Sequence, residues 1–261
     1  MNEITPRQFS SEDLLKKIQG QEIEPSINQI KRILSGMHPS EVAHSIESLP
    51  PKERKFLWSL IDTQNEGEII AELHDEIQQE LISDISPEEL ITIIRDLELD
   101  EIVDILQNLP HKKTENILSA MSKRDRQRIQ EALVYPEDSA GGLMNTDVIS
   151  VRPKHNLEVV MRYLRAQREL PKNTDQIFVV SRENKYLGSL PISLIVVSDP
   201  TLNVRELMET ETQPLEVNIN DKDVSRLFEQ NDWVSAPVVD DQSRLIGRIT
   251  IDDVVDVIME D

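Results

Sequence analysis

The stretch Ala236–Met259, APVVDDQSRLIGRITIDDVVDVIM, decides the fold. Pro237-Val238-Val239 is a short apolar run that stops at the polar turn Asp240-Asp241-Gln242-Ser243. A second run, Leu245-Ile246-Gly247-Arg248-Ile249, follows, and Thr250 then opens a segment carrying Val254, Val255 and Ile258 at helical spacing. The pattern predicts strand, turn, strand, helix. It returns earlier in Ile177–Val196, IFVVSRENKYLGSLPISLIV, where Gly188 falls on Gly247 at a shift of 59, and Val179 and Val180 fall on Val238 and Val239. A β-β-α unit present twice at a fixed shift marks a repeat module rather than a single catalytic core.

Residues 1 to about 135 read as helix throughout. Apolar residues recur every three or four positions: Ile27, Ile30, Ile33 and Leu34; Val42, Ile46 and Leu49; Leu57, Leu60 and Ile61. Pro51, Pro87 and Pro110 stand at expected helix starts, where a missing N–H costs nothing, and Ser86 supplies an N-cap ahead of Glu88 and Glu89. This half repeats as well. His38–Pro50 lies over Glu98–Pro110 at a shift of 60, which pairs Glu41 with Glu101, Val42 with Ile102 and Leu49 with Leu109. Short helices that repeat cannot bury their apolar stripes alone, so they are expected to stack into a small superhelix. Between the halves, Tyr135–Met144 breaks the helical pattern with Pro136, Gly141 and Gly142 and reads as a junction.

The chain has 261 residues and a formal charge of −21, from 28 basic against 49 acidic side chains. Such a surface repels nucleic acid and anionic lipid and attracts cations. With no cysteine there are no disulfides or thiolate metal sites. No signal peptide and no apolar stretch of the ~20 residues needed to span a bilayer is present. The histidines, His38, His44, His74, His111 and His155, are scattered without HExxH spacing, and neither a nucleophile motif nor a phosphate loop occurs. The chain does not read as an enzyme.

Two β-β-α units in tandem resemble a pair of cystathionine β-synthase (CBS) domains. A helical superhelix, then EDSAGGLM (Glu137–Met144), then two CBS units ending in TIDDVVDV, resembles the cytosolic part of MgtE-type magnesium channels and transporters. The resemblance implies an α + α/β fold. Residues 1–136 would form an N-terminal all-α superhelical domain, 137–203 a first CBS domain and 204–261 a second. It further implies a homodimer through the CBS domains, on the cytoplasmic side of the cell membrane. In that family a transmembrane pore follows the second CBS unit, so the chain reads as the regulatory part of a membrane protein, soluble by itself. The expected function is Mg²⁺ sensing: acidic interdomain surfaces bind Mg²⁺ and favour a compact, pore-closing state. A nucleotide-sensing CBS module with a helical adaptor is the alternative.

Candidate ligands follow from carboxylates one helical turn apart. Asp100 and Asp104, at i and i+4, are expected on one exposed helix face; Asp253 and Asp256, at i and i+3, share another, with Glu260 a turn further. Taken blind, any such pair is a solvated acidic face. The resemblance implies that Asp100, Asp104, Asp232, Asp253 and Asp256 hold Mg²⁺, and adds Glu260. It also implies ATP binding at Thr250-Ile251-Asp252-Asp253, a Ser/Thr-x-x-Asp pattern whose hydroxyl meets phosphate and whose carboxylate grips the ribose. The first unit has Pro191 and Leu194 at those positions. Trp233 reads either as a stacking surface for adenine or as a packing anchor. Asp253 belongs to both the metal and the nucleotide readings.

Overall fold

The structure, a computed structural model, describes residues 27–167 and 169–260, except for the side chain of Glu260. Helix expected in residues 1–26 lies outside the described residues, as does Arg168, the last residue of the helix that the sequence predicts from Leu157. The chain divides into two compact units, 1–127 and 128–261.

The first unit is built from α1 (Ile27–Leu34), α2 (Pro39–Glu47), α3 (Pro51–Trp58), α4 (Thr63–Ala71), α5 (Asp75–Ser83), α6 (Pro87–Ile93), α7 (Leu99–Gln107), α8 (His111–Ala120) and the start of α9 (Lys123–Ala132). The 60-residue repeat is visible element by element: α1 and α6, α2 and α7, α3 and α8, and α4 and α9 begin at equivalent residues. Even the caps repeat. His38 and Glu98 precede α2 and α7, and each forms a capping box with the glutamate three residues on, Glu41 or Glu101. Alternate helices stack, α2 on α4, α4 on α6 and α6 on α8. Ile30, Leu34, Val42, Ile46, Leu49, Leu57 and Ile69 are buried in one core, built of aliphatic side chains because aromatics are scarce.

The second unit holds two three-stranded sheets. In the first, β1 (Ser150–Val151) runs parallel to β2 (Gln176–Val180), and β3 (Tyr186–Pro191) is antiparallel to β2. The second repeats this with β4 (Leu215–Glu216), β5 (Ser235–Val239) and β6 (Leu245–Thr250). Helices α11 (Leu157–Ala166) and α14 (Asp221–Asn231) follow the first strands, and α12 (Ile192–Val197) and α15 (Ile251–Glu260) the last. The hairpins match at the 59-residue shift to the register, Val179 opposite Gly188 and Val238 opposite Gly247, each with an irregularity one residue on.

Two short lead-in helices, α10 (Ala140–Leu143) and α13 (Val204–Leu207), precede the copies, and each docks on the other copy. Ala140 and Met144 are buried with Leu215, Val224, Phe228 and Ile249 of the second copy, whereas Val204 is buried with Val151, Leu157 and Ile177 of the first. Backbone pairs extend both sheets in the same way. Asn145 exchanges two hydrogen bonds with Arg248 at 2.8 and 2.9 Å, and Glu209 exchanges two with Ser189 at 2.8 and 2.9 Å. From Ser139 to Met144 the junction is therefore docked, whereas Pro136, Glu137 and Asp138 are exposed. Ser139 caps α10, and the N–H groups of Ala140 and Gly141 donate to the carbonyls of Ile219 and Val217. Gly141 and Gly142 let the junction fold tightly on itself, since a Cβ there would meet the Tyr135 ring and the carbonyls of Pro136 and Glu137.

Candidate functional site

The end of β6 delivers Thr250 to the start of α15. Its backbone N–H donates to Asp253 Oδ2 at 3.1 Å and its hydroxyl to the same oxygen at 3.0 Å, with a further contact to Asp252. This is helix capping, with Asp253 three residues after the threonine. The N–H of Ile251 donates to the carbonyl of Val234 at 2.9 Å, which draws the Asp232–Val234 turn to the same helix start. Asp232 ends α14 in the left-handed region (φ 53°), a conformation open to aspartate, and is exposed. Trp233 is half-buried and meets Phe228 edge-on, centroids 5.7 Å apart at 85°. Its indole is a wall of the second copy's core. Asp256 is exposed one turn along α15, and the side chain of Glu260 lies outside the described residues.

A segment of the first copy covers this corner. Asn173 (φ 52°) donates to Asp252 Oδ2 at 2.6 Å, Gln176 donates to the Ser235 carbonyl at 2.9 Å, and the Ser235 hydroxyl donates to Asp175 at 2.5 Å. Arg248, only 4 % exposed, donates to the carbonyl of Lys172 at 2.5 Å. The sequence reading missed Arg248. A lone arginine among apolar strand residues was the available signal.

In the first unit, α7 places Asp100 and Asp104 one turn apart, but not on a shared exposed face as expected. Asp104 is exposed and Asp100 is 5 % exposed. Leu99, Val103, Ile105 and Leu106 are buried on α7, and Asp100, three residues before Val103, lies at the edge of the Leu99–Val103–Leu106 stripe. Its first-turn position, at the positive end of the helix dipole, lets a carboxylate leave bulk water. Among the described residues, no three His, Asp or Glu side chains converge as a ligand set. The donors on offer are hard carboxylate oxygens in ones and twos. That fits a cation such as Mg²⁺, which retains several waters, and does not fit a dehydrating all-protein cage.

Comparison with known proteins agrees with this architecture. The family described as MgtE intracellular N domain matches residues 37–138, and the CBS domain family matches 140–196 and 204–260. The magnesium transporter MgtE of Thermus thermophilus is 33 % identical over 138 residues, covering 53 % of this chain and 31 % of the relative. That of Bacillus subtilis is 24 % identical over 235 residues, 90 % of this chain and 52 % of the relative. The chain thus spans about half the length, or less, of these relatives. Among solved structures, the cytosolic domain of the Mg²⁺ channel MgtE in complex with ATP is similar over 95 % of this chain and 99 % of its own, with a TM-score of 0.83 and 27 % identity. The soluble part of a magnesium transporter shares the fold, with a TM-score of 0.78 and 22 % identity over 96 % of this chain and 97 % of its own. Among the described residues, no helix is long and apolar enough to cross a membrane. The chain belongs to the MgtE family and corresponds to its cytosolic N-domain and CBS-pair region.

Proposed function

We propose that this chain is the Mg²⁺-sensing regulatory region of a magnesium transporter or channel, placed on the cytoplasmic side of the membrane and coupled to a pore in the full-length protein. The observation that carries the reading is an MgtE N domain and a CBS pair in one chain of formal charge −21. Without metal, the carboxylates of each unit repel their neighbours. Mg²⁺ held by Asp100 and Asp104 in the first unit, and by Asp232, Asp253, Asp256 and Glu260 in the second, lowers that charge and favours a compact arrangement. A cation that binds the compact state better shifts the population towards it, and a pore closed in that state then senses intracellular Mg²⁺ by linkage.

Small-angle scattering across a Mg²⁺ titration tests this. A fall in radius of gyration at millimolar Mg²⁺ is expected, with the midpoint moved to higher concentration by Asp100→Asn with Asp104→Asn. Asparagine keeps the shape of the buried side chain. An unchanged radius between chelator and excess Mg²⁺ would sink the sensor reading.

ATP binding at the start of α15 is a second reading. It is supported by the Thr250–Asp253 arrangement and by similarity to a structure described as an ATP complex. A nucleotide sensor without a metal role would compact with ATP and ignore Mg²⁺.

A further inference from the structure

We propose that the second unit carries a binding site for a phosphoryl anion of the diphosphate class, at the end of the first sheet opposite the Pro191 end of β3. A cavity of about 240 Å³ there is lined by Arg152, Lys154, Arg182 and Arg205, with Pro153, Val180, Ser181 and Leu187. Four cations and no acid line it, in a chain where acids outnumber bases 49 to 28. Among the described residues, none of the four forms an ion pair.

The acids nearest in sequence are held by hydrogen bonds, and of the two Glu183 also feels the charge of Arg182. Glu183 accepts from the Ser181 hydroxyl at 3.0 Å, and Glu206 accepts from the backbone N–H of Asn203 at 2.9 Å. The walls are braced in advance. Arg152 donates its guanidinium to the Ser181 carbonyl, and the backbone N–H of Arg205 donates to the Pro153 carbonyl at 3.0 Å.

The internal repeat supplies a control for what the fold itself requires. Val151 pairs with Val179 and Leu215 with Val238, so the positions around β1 and β4 correspond at a shift of 64 and those in the hairpins at 59. Arg152, Lys154, Ser181 and Arg182 then correspond to Glu216, Asn218, Asp240 and Asp241, and Arg205 to Gly141. The same fold position in the second copy is acidic. The cations gather at the first sheet alone, Arg205 reaching it on the second copy's lead-in helix, so the fold does not require them.

Arginine forks match phosphoryl oxygens bidentately, and lysine adds a point charge. The volume lies below the ~300 Å³ at which pockets for drug-sized ligands begin, so it suits a short polyphosphate or a headgroup better than a whole nucleotide. A free polyphosphate and a lipid phosphate share this chemistry.

Calorimetric titration of the chain with pyrophosphate in metal-free buffer tests the site independently of any Mg²⁺ response. One saturable site per chain is expected, weakened at least tenfold by Arg182→Gln with Arg205→Gln. Both side chains are exposed, so the fold should stand, as circular dichroism will check. Arg226→Gln, which removes a cation paired with Asp223 on α14, should leave the affinity unchanged. Absence of saturable binding, or equal affinity in the double variant, overturns the proposal. Sedimentation with phosphatidylglycerol vesicles separates the sources. Pelleting that pyrophosphate competes away, and that the double variant loses, assigns the site to a lipid phosphate. Pyrophosphate binding without pelleting assigns it to a free anion.

Discussion

The backbone N–H of Thr250 donates to Asp253, and its hydroxyl lies between Asp252 and Asp253, so the carboxylate expected to grip a ribose also holds the start of α15. The two uses separate by substitution. Asp253→Asn keeps an acceptor for the cap and removes the charge, and should weaken ATP about ten- to a hundredfold, the worth of one charge-assisted hydrogen bond, ~1.5–3 kcal/mol. The melting temperature should barely move. Calorimetry giving wild-type ATP affinity in Asp253→Asn would mean that the cleft has been misread. At this scale the sequence was legible in kind but not in exposure. Asp100 and Asp104 do lie one turn apart, yet a four-residue spacing leaves open which of two acids borders the buried stripe. Leu99 and Val103 settle that, and only in the folded unit. Trp233 likewise keeps two readings, since its edge-on contact with Phe228 anchors the ring while leaving it half-buried.

The elements themselves were the most legible level, because both repeats impose a fixed spacing on apolar residues and turns. The helical starts match at 60 residues and the hairpins at 59, as the patterns predict. The exchange of lead-in helices was not legible, since hydrophobicity says that α10 and α13 are buried but not on which sheet. The matched glycines were the overlooked signal. A Cβ on Gly247 would lie 2.6 Å from the Met144 sulfur, and one on Gly188 would strike the backbone carbonyl of Glu209. Each glycine thus admits the segment arriving from the other copy. Gly188 also has a φ of 153°, which side chains disfavour, and a carbonyl cannot yield as a methionine tip can. Gly247→Ala should therefore cost about 1–3 kcal/mol, the usual range for overpacking, and Gly188→Ala more. Urea denaturation that finds the two equal, or reversed in order, would sever the link between these glycines and the exchange.

At the scale of the whole molecule, charge and apolar surface pull in opposite directions. In the second unit α12 exposes Val196 and Val197 (67 and 78 %), and α15 exposes Val255, Ile258 and Met259 (43, 56 and 80 %). The two helices occupy equivalent places in the repeat, with Val196 corresponding to Val255, so each copy presents an apolar helix surface at the same fold position. A second copy can cover such a face by a two-fold operation, which removes its aliphatic side chains from water. We therefore expect a homodimer at tens of micromolar, dissociated by Val197→Glu with Ile258→Glu. The formal charge of −21 on each chain opposes that association. The opposition is long-ranged and screened by salt, whereas apolar burial is not. Raising sodium chloride should accordingly tighten the dimer, and Mg²⁺ should tighten it at far lower concentration if it binds the acids rather than merely screening them. Sedimentation equilibrium reads both trends. A monomer at every salt concentration would leave the exposed faces of α12 and α15 to some other use, and a dimer that salt weakens would place ion pairs, not aliphatic side chains, at its centre.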